Sequence, residues 1–442
     1  MTKKDMLINF VAAMFFLIIL FVNNVIYNIN NLEIKLIIQL ISGIVFLFFA
    51  FLKLKKVNLI VQSVEFLYDF LFFSYSIIGP AVFFLDKCTA RYYYFTMNEG
   101  SMSNTLAVYI NIFAILNILF FTLNRFKNNN VNEKIQKLSE KASNLNLKLN
   151  LFDLVAVFCS FFSLFKLIAY GPEFYSLSTL AKREILNTGF THYIGLYMVV
   201  YSLFVSLNFA LKGKKGLFYR TRLIILIIYW GIFLTCERRI FVIFCLGFIM
   251  LFIYRQTKIK LRYIFLTGVC TILLMFATAV RENVNFNRND FTDVLYMSTT
   301  EFYCTFSITN AYIVNPPKLL NGRTYVYDTI SKFFPRAIFS NKPDDLSQIF
   351  KKQYNLKVGF AYNPIAEGIL NFGGMAVFMV PLIVLFLTII ANKLSNKNIL
   401  FYIIIAISSF DFYRGPFSNF IFDIVFSIFM LIFIFNFSKR GV

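Results

Sequence analysis

Histidine occurs once in the 442 residues, at His192, tryptophan occurs once, and only 15% of the chain is charged. The six cysteines (Cys88, Cys159, Cys236, Cys245, Cys270 and Cys304) contain no C-x-x-C pair, so the sequence argues against a Cys/His zinc site or a His-based triad. Cys159, Cys245 and Cys270 lie in apolar runs and read as small hydrophobes, and a Cys88 to Cys304 bridge stays open. There is no glycine-rich phosphate loop, dinucleotide-binding fingerprint or internal repeat. Acidic residues are also few: 22 Asp and Glu stand against 43 Lys and Arg, a formal net charge of +21. What fills the chain instead is apolar, with 59% hydrophobic and 19% aromatic residues. That composition excludes disorder and points to an all-α polytopic membrane protein. The basic excess then has two readings, an anionic partner such as nucleic acid or the cytoplasmic side of a membrane.

Crossing a hydrocarbon core of about 30 Å takes roughly 20 apolar residues, and on that measure about twelve spans are expected. They lie near 7–27, 36–52, 58–85, 105–123, 152–170, 193–211, 222–236, 239–254, 263–280, 373–391, 398–413 and 417–436. The first follows Lys3 and Lys4 but runs into Asn23 and Asn24 without a small-residue cleavage site, so it reads as an uncleaved span. With the N-terminus inside, basic clusters fall on every second connection, for example Lys53 to Lys56, Lys212 to Arg222 and Arg255 to Arg262, as the positive-inside bias requires. Both termini are then cytoplasmic, and residues 1–442 form a single integral membrane domain. The inner connections hold 24 basic residues against Asp5, Glu133 and Glu140, which accounts for the whole of the +21. The excess is a topology signal, and no aromatic-interleaved basic platform supports nucleic-acid binding. The inner segment 127–148 reads as a solvated linker or an amphipathic surface helix.

One long extracytoplasmic loop, residues 281–372, is expected between spans 9 and 10; at about ninety residues it should be a lid or small subdomain. It is locally basic, with Lys318, Arg323, Lys332, Arg336, Lys342, Lys351, Lys352 and Lys357. Within it, Ile330, Phe333, Phe334 and Ile338 have helical spacing, consistent with a short helix on the membrane surface unless Pro335 breaks it.

Cations on the outer side run against the orientation bias and need a reason. Cys236-Glu237-Arg238-Arg239 lies between two short spans, so Arg238 and Arg239 should sit low in the outer leaflet, either as a site for an anionic headgroup or as a snorkelling pair partly neutralised by Glu237. Arg183 and Arg281, at other outer connections, have forks that match pyrophosphate oxygens. Asp411 and Arg414, in the turn before the last span, can pair across one helical turn or act chemically. Glu367, just before span 10, is a candidate general base or orienting acceptor. In span 3, Glu65 and Asp69 share a helical face, as a proton relay or as partners of Lys166, and His192 reads as an interfacial residue ending a helix.

Three stretches carry a resemblance: Glu237-Arg238-Arg239-Ile240-Phe241; Phe333-Phe334-Pro335-Arg336 with Lys342-Pro343; and Asn363-Pro364-Ile365-Ala366-Glu367-Gly368 leading into Asn371-Phe372-Gly373-Gly374. With Arg414-Gly415 before the last span, they resemble the Wzy family of oligosaccharide repeat-unit polymerases, which build O-antigens and capsules at the outer face of the bacterial cytoplasmic membrane. Some members carry an outer-loop Arg separated from a Gly by ten residues; here eleven residues separate Arg183 from Gly195. The resemblance implies a metal-independent glycosyltransferase without cofactor, acting on polyprenyl-pyrophosphate-linked oligosaccharides. The growing glycan would pass through its reducing end to a hydroxyl of an incoming lipid-linked unit. Arg183, Arg238, Arg239, Arg281, Arg336 and Arg414 would stabilise the departing pyrophosphate. Glu367, or else Asp411, would take the acceptor proton. Partners would be membrane lipids, a flippase and a chain-length regulator. A flippase for the same lipid-linked oligosaccharides should show two similar halves and a central cationic cavity, and a ligase that moves finished glycan would share the architecture.

Overall fold

The structure is a computed structural model and describes residues 14–23, 25, 34–35, 37–44, 68, 71–72, 75, 99–123, 151–171, 173, 191–212, 217–234, 304–335, 338–356, 361–397 and 399–440. The described residues are all-α. The elements are α1 (Met14–Asn23), α2 (Glu99–Leu123), α3 (Leu151–Tyr170), α4 (Thr191–Lys212), α5 (Leu217–Leu234), α6 (Cys304–Val314), α7 (Leu346–Gln353), α8 (Pro364–Phe372), α9 (Ala376–Lys397), α10 (Ile399–Phe412) and α11 (Phe417–Arg440). Four helical stretches among them are long and apolar enough to cross a membrane: Gly100–Phe120, Leu151–Tyr170, Pro364–Leu394 and Phe417–Ile434. The outward faces of Leu151–Tyr170, Pro364–Leu394 and Phe417–Ile434 are rich in apolar side chains, the reverse of a water-soluble helix. On α9 the exposed side chains include Phe378, Leu382, Phe386 and Ile389, and on α3 Leu154, Phe158, Phe161, Phe165 and Ile168, both at helical spacing. This is the surface of a helical membrane protein.

The chain divides into two compact units, residues 1–129, 299–394 and 408–422 in the first, and 130–298, 395–407 and 423–442 in the second. In the first, α2 is the interior helix, with Leu106, Ile112, Ala114 and Leu116 fully buried. Polar side chains tie it to its neighbours, where lipid-like surroundings offer no water to satisfy them. Asn23 Nδ2 donates to the Ala107 carbonyl at 3.2 Å and to Asn111 Oδ1 at 2.8 Å, and Ser103 Oγ donates to Gln39 Oε1 at 3.1 Å. Thr105 Oγ1 donates to Asn310 Oδ1 of α6 at 2.8 Å, and the Tyr109 ring stacks on Phe306 with centroids 5.2 Å apart.

Part of the stretch 281–372, expected as a long extracytoplasmic lid or small subdomain, is buried within the first unit. In α6, Thr305 to Tyr312 are buried, and α8 is buried along nearly its whole length.

In the second unit α3, α4 and α5 pack pairwise. Arg222, grouped by sequence with the cytoplasmic cations, is buried in α5 and grips Asp153 in the first turn of α3. Its Nε donates to Oδ1 at 2.8 Å and its Nη2 to Oδ2 at 2.7 Å, while Tyr201 Oη donates to Oδ1 at 2.8 Å. His192 lies at the N-terminal end of α4, and its Nε2 is 2.9 Å from Asp423 Oδ1. Cys159 and Cys304 are free thiols.

Gly368 permits the approach of α8 to α9. A Cβ there would collide with Val380 Cγ2 and lie 3.3 Å from Ala376 Cβ, and a β-branched neighbour has little freedom to withdraw. Gly368→Ala is expected to cost about 1–3 kcal/mol by overpacking, read as a lowered melting temperature of the protein in lipid nanodiscs. Val380→Ala in the same chain should restore most of the loss; no recovery would mean the glycine serves something other than this contact.

Candidate functional site

The site grows out of the short helix α8. Asn363 is extended (φ −134°, ψ 159°) and caps it, with Oδ1 accepting from the Ile365 and Ala366 N–H groups at 3.0 and 2.8 Å; Pro364 fills the first helical position, where no N–H is needed. Asn363 Nδ2 donates to the Thr305 carbonyl and, at 2.9 Å, to Thr309 Oγ1, which pins the cap to α6. At the other end Gly373 takes φ 58° and ψ −134°, a conformation that favours glycine, and ends the helix. Asn371 Nδ2 donates to Thr324 Oγ1 at 2.7 Å and to the Glu367 carbonyl at 2.8 Å, and Leu320 and Asn321 donate their N–H groups to the Leu370 and Asn371 carbonyls.

Nearly every distinctive residue of the stretch 363–374 thus has a structural task. Glu367 is the exception in half of its carboxylate. It is 1% exposed; Oε2 accepts the Phe417 N–H at 2.7 Å, while Oε1 has no hydrogen-bond partner among the described residues. The Phe417 bond places a carboxylate at the start of α11, where the helix dipole favours it. Asp345 does the same from a second direction. Its Oδ1 caps α7 by accepting from Ser347 N at 3.1 Å, and its Oδ2 accepts from Asn419 Nδ2 at 2.7 Å.

Over Glu367 lies a π-helical turn, Thr324–Asp328, continuing into Thr329–Lys332. Such widened turns are frequent at functional sites. Thr324 faces the Glu367 carboxyl, and Tyr325 stacks on Phe372 at 5.6 Å and meets Phe417 edge-on at 5.0 Å. Burial, and secondarily the charge of Glu367, holds the Tyr325 phenol well above its ordinary range. An open hollow of about 480 Å³ adjoins this turn, lined by Asn321, Gly322, Arg323, Val326 and Tyr327. Arg323 lies over the Tyr327 ring at 5.4 Å, with its Nε 3.6 Å from Asp328 Oδ1. Asn321 and Gly322 both have positive φ, 48° and 82°, which makes the tight turn that opens the hollow.

Burial raises the Asp328 carboxyl above its ordinary range, and Arg323 offsets this only in part. A raised folded pKa means the folded turn binds the proton more tightly than the unfolded chain. Its stabilisation is present in acid and lost as pH rises through the folded value. Hydrogen exchange across Thr324–Lys332, corrected for intrinsic rates, should show protection falling as pH climbs from the acid range, and Asp328→Asn should flatten that slope. Protection rising with pH would contradict the burial argument.

Of the residues singled out by sequence, the structure brings Glu367 and the turn after α10 together through Phe417. At the end of α10 Asp411 is buried and its carbonyl accepts the Arg414 N–H of the turn at 3.2 Å; the Arg414 guanidinium lies 5.4 Å from the Phe410 ring centroid. Tyr413 is packed by Tyr68, Phe72 and Tyr75 at 6.0–6.2 Å, which fixes the turn. Arg183, Arg238, Arg239, Arg281 and Arg336 lie outside the described residues, as do Glu65, Asp69 and Cys88. The expected helix around Ile330 starts and ends earlier than its spacing implied, since the chain leaves the helix at Phe333, ahead of Pro335. Thr324, Asp345 and the hollow were not anticipated, although Asn321-Gly322 is a turn signal and Asp345-Leu346-Ser347 a helix-start signal. Among the described residues no three His, Cys, Asp or Glu side chains converge as metal ligands would.

The arrangement defines a class: a helical membrane protein with a buried carboxylate beneath a short lid-like turn. No family profile, no curated protein and no solved structure matches the chain.

Proposed function

We propose that this chain polymerises polyprenyl-pyrophosphate-linked oligosaccharide repeat units at the outer face of a bacterial cytoplasmic membrane, as a metal-independent glycosyltransferase of Wzy type. In this reading about twelve spans cross the bilayer with both termini inside, and the segment that bears α7 and the π-turn lies outside. The observation that carries it is the Glu367 carboxylate, shielded from water, anchored through one oxygen and uncommitted at the other. A carboxylate so placed can accept the proton of an attacking sugar hydroxyl once the π-turn lifts. The hollow beside that turn, with the Arg323 fork and the Asn321 amide, offers polar groups to a sugar or phosphate. Arg238, Arg239, Arg183, Arg281, Arg336 and Arg414 supply the positive charge for the leaving pyrophosphate, and Asp411 is the alternative to Glu367 as the base.

Surface glycan from a strain lacking the protein tests the class. A ladder that collapses to single repeat units supports polymerisation. Complete loss of surface glycan with lipid-linked units held inside would assign a flippase, and long lipid-linked glycan that never reaches its final acceptor would assign a ligase. Arg238→Ala and Arg239→Ala are each expected to abolish chain extension while leaving the protein in the membrane.

A further inference from the structure

The described residues between Thr324 and Lys342 are arranged inside out. Thr324, Asp328 and Ser331 face inward and are buried, while Ile330 is 58%, Phe333 41%, Phe334 44% and Ile338 73% exposed. A stretch that buries Thr324, Asp328 and Ser331 and presents isoleucine and phenylalanine is arranged for an apolar medium.

Its backbone is arranged the same way. Phe333 and Phe334 donate their N–H groups to the Ile330 and Ser331 carbonyls, and Ile338 and Phe339 both donate to the Pro335 carbonyl at 3.0 and 2.9 Å. The Lys342 ammonium reaches back to the Lys332 and Phe334 carbonyls at 3.1 and 3.0 Å, covering helix-end acceptors that water would otherwise satisfy. A loop in water has no need of such closure, whereas a loop entering lipid does, because no solvent remains to pair its polar groups.

The same unit shows what medium covers such a face. The exposed stripe of α9, Phe378, Leu382 and Phe386, has the same inverted pattern on a helix long enough to cross a membrane. The Phe333 ring also packs on Phe422, with centroids 5.3 Å apart, near the start of the membrane-length helix Phe417–Ile434. Lys332 sits in the last helical turn, where its charge can reach lipid phosphates. We propose that the tip carrying Ile330, Phe333, Phe334 and Ile338 is a wedge inserted among the lipids of one leaflet at the boundary between headgroups and acyl chains. The wedge sets the depth of the neighbouring hollow at Asn321 to Tyr327, so that a lipid-linked substrate meets it at headgroup level without leaving the bilayer. The insertion itself does not depend on the glycosyl-transfer reading.

The 442-residue chain has one tryptophan, the buried Trp230, which provides an internal reference. Ile330→Trp and Ile338→Trp are made singly, with Gln348→Trp on the exposed face of α7 as the comparison. Each is placed in phosphatidylcholine nanodiscs carrying bromine near the headgroup end of the acyl chain, near its methyl end, or nowhere. The added emission at 330 and 338 should be blue-shifted and largely quenched by the shallow bromines, less by the deep ones, and hardly by aqueous iodide. The added emission at 348 should respond to iodide alone. Quenching of 330 and 338 by iodide instead of bromolipid would place the tip in water, and quenching by neither would mean that protein, such as a second copy, covers it; either result overturns the proposal. Polymerisation is assayed separately, so failure of the wedge and failure of the proposed function give different results.

Discussion

Arg222→Met and Asp153→Asn, made singly, are each expected to destabilise the second unit by about 3–5 kcal/mol, because each leaves a buried group without the partner that compensates it. Asp153 is wholly enclosed and Arg222 nearly so; two parallel hydrogen bonds of 2.7 and 2.8 Å join them, and Tyr201 occupies a further acceptor position on Asp153. The fork geometry matters as much as the charge, so Arg222→Lys, which can supply no planar pair of donors, should recover only part of the loss. Arg222→Met with Asp153→Leu removes both charges and fills the space with apolar atoms. That double variant should melt near the wild-type temperature or above it, leaving only the Tyr201 hydroxyl without its acceptor. The measurement is thermal unfolding of wild type, the three single variants and the double variant in nanodiscs, with Asp153→Leu alone added to close the double-mutant cycle. Singles without effect, or a double variant as unstable as their sum, would show that the pair contributes little to holding α3 and α5 together.

The same pair shows why part of the fold was legible in the sequence and part was not. Long apolar runs mark helices whatever surrounds them: the runs expected at 152–170, 193–211, 398–413 and 417–436 correspond to α3, α4, α10 and α11 to within a few residues, apart from the further turn with which α11 runs on to Arg440. The run expected at 222–236 starts late, because Arg220 and Arg222 interrupt hydropathy without interrupting the helix, which begins at Leu217. Nothing local distinguishes a cation that faces water from one that will meet Asp153 across a helix interface. The helix α6 was hidden for the same reason. Thr305, Ser307, Thr309 and Asn310 lower its hydropathy, yet all four are buried, with Thr309 bonded to Tyr109 and Asn310 to Thr105 of α2. At the candidate site, Glu367 and the caps at Asn363 and Gly373 lay in a stretch whose residue types stood out. Phe417, which bonds Glu367, and Thr324, which faces it, lie 50 and 43 residues away, and only the fold brings them to it.

Glu367→Gln is expected to lower chain extension by about 10²–10⁴-fold while leaving the fold intact, the range typical for losing a general base. The two oxygens of Glu367 do different things, and this substitution separates them. Glutamine keeps one carbonyl oxygen, which can still accept the Phe417 N–H and hold the first turn of α11. Its amide nitrogen, placed where Oε1 now has no partner, can donate a hydrogen bond but cannot take a proton from a sugar hydroxyl. Glu367→Ala removes both functions and should cost stability as well, on the order of 1 kcal/mol for the lost cap plus the cavity it leaves. Chain length is read from glycan ladders and folding from thermal unfolding of the same preparations. A Glu367→Gln protein with normal ladders would make Glu367 a helix cap and nothing more, and would move the search for the base to Asp411. Reduced ladders in the Gln variant with an unchanged melting temperature would separate the chemical role from the structural one, since the cap alone, which glutamine keeps, predicts normal ladders.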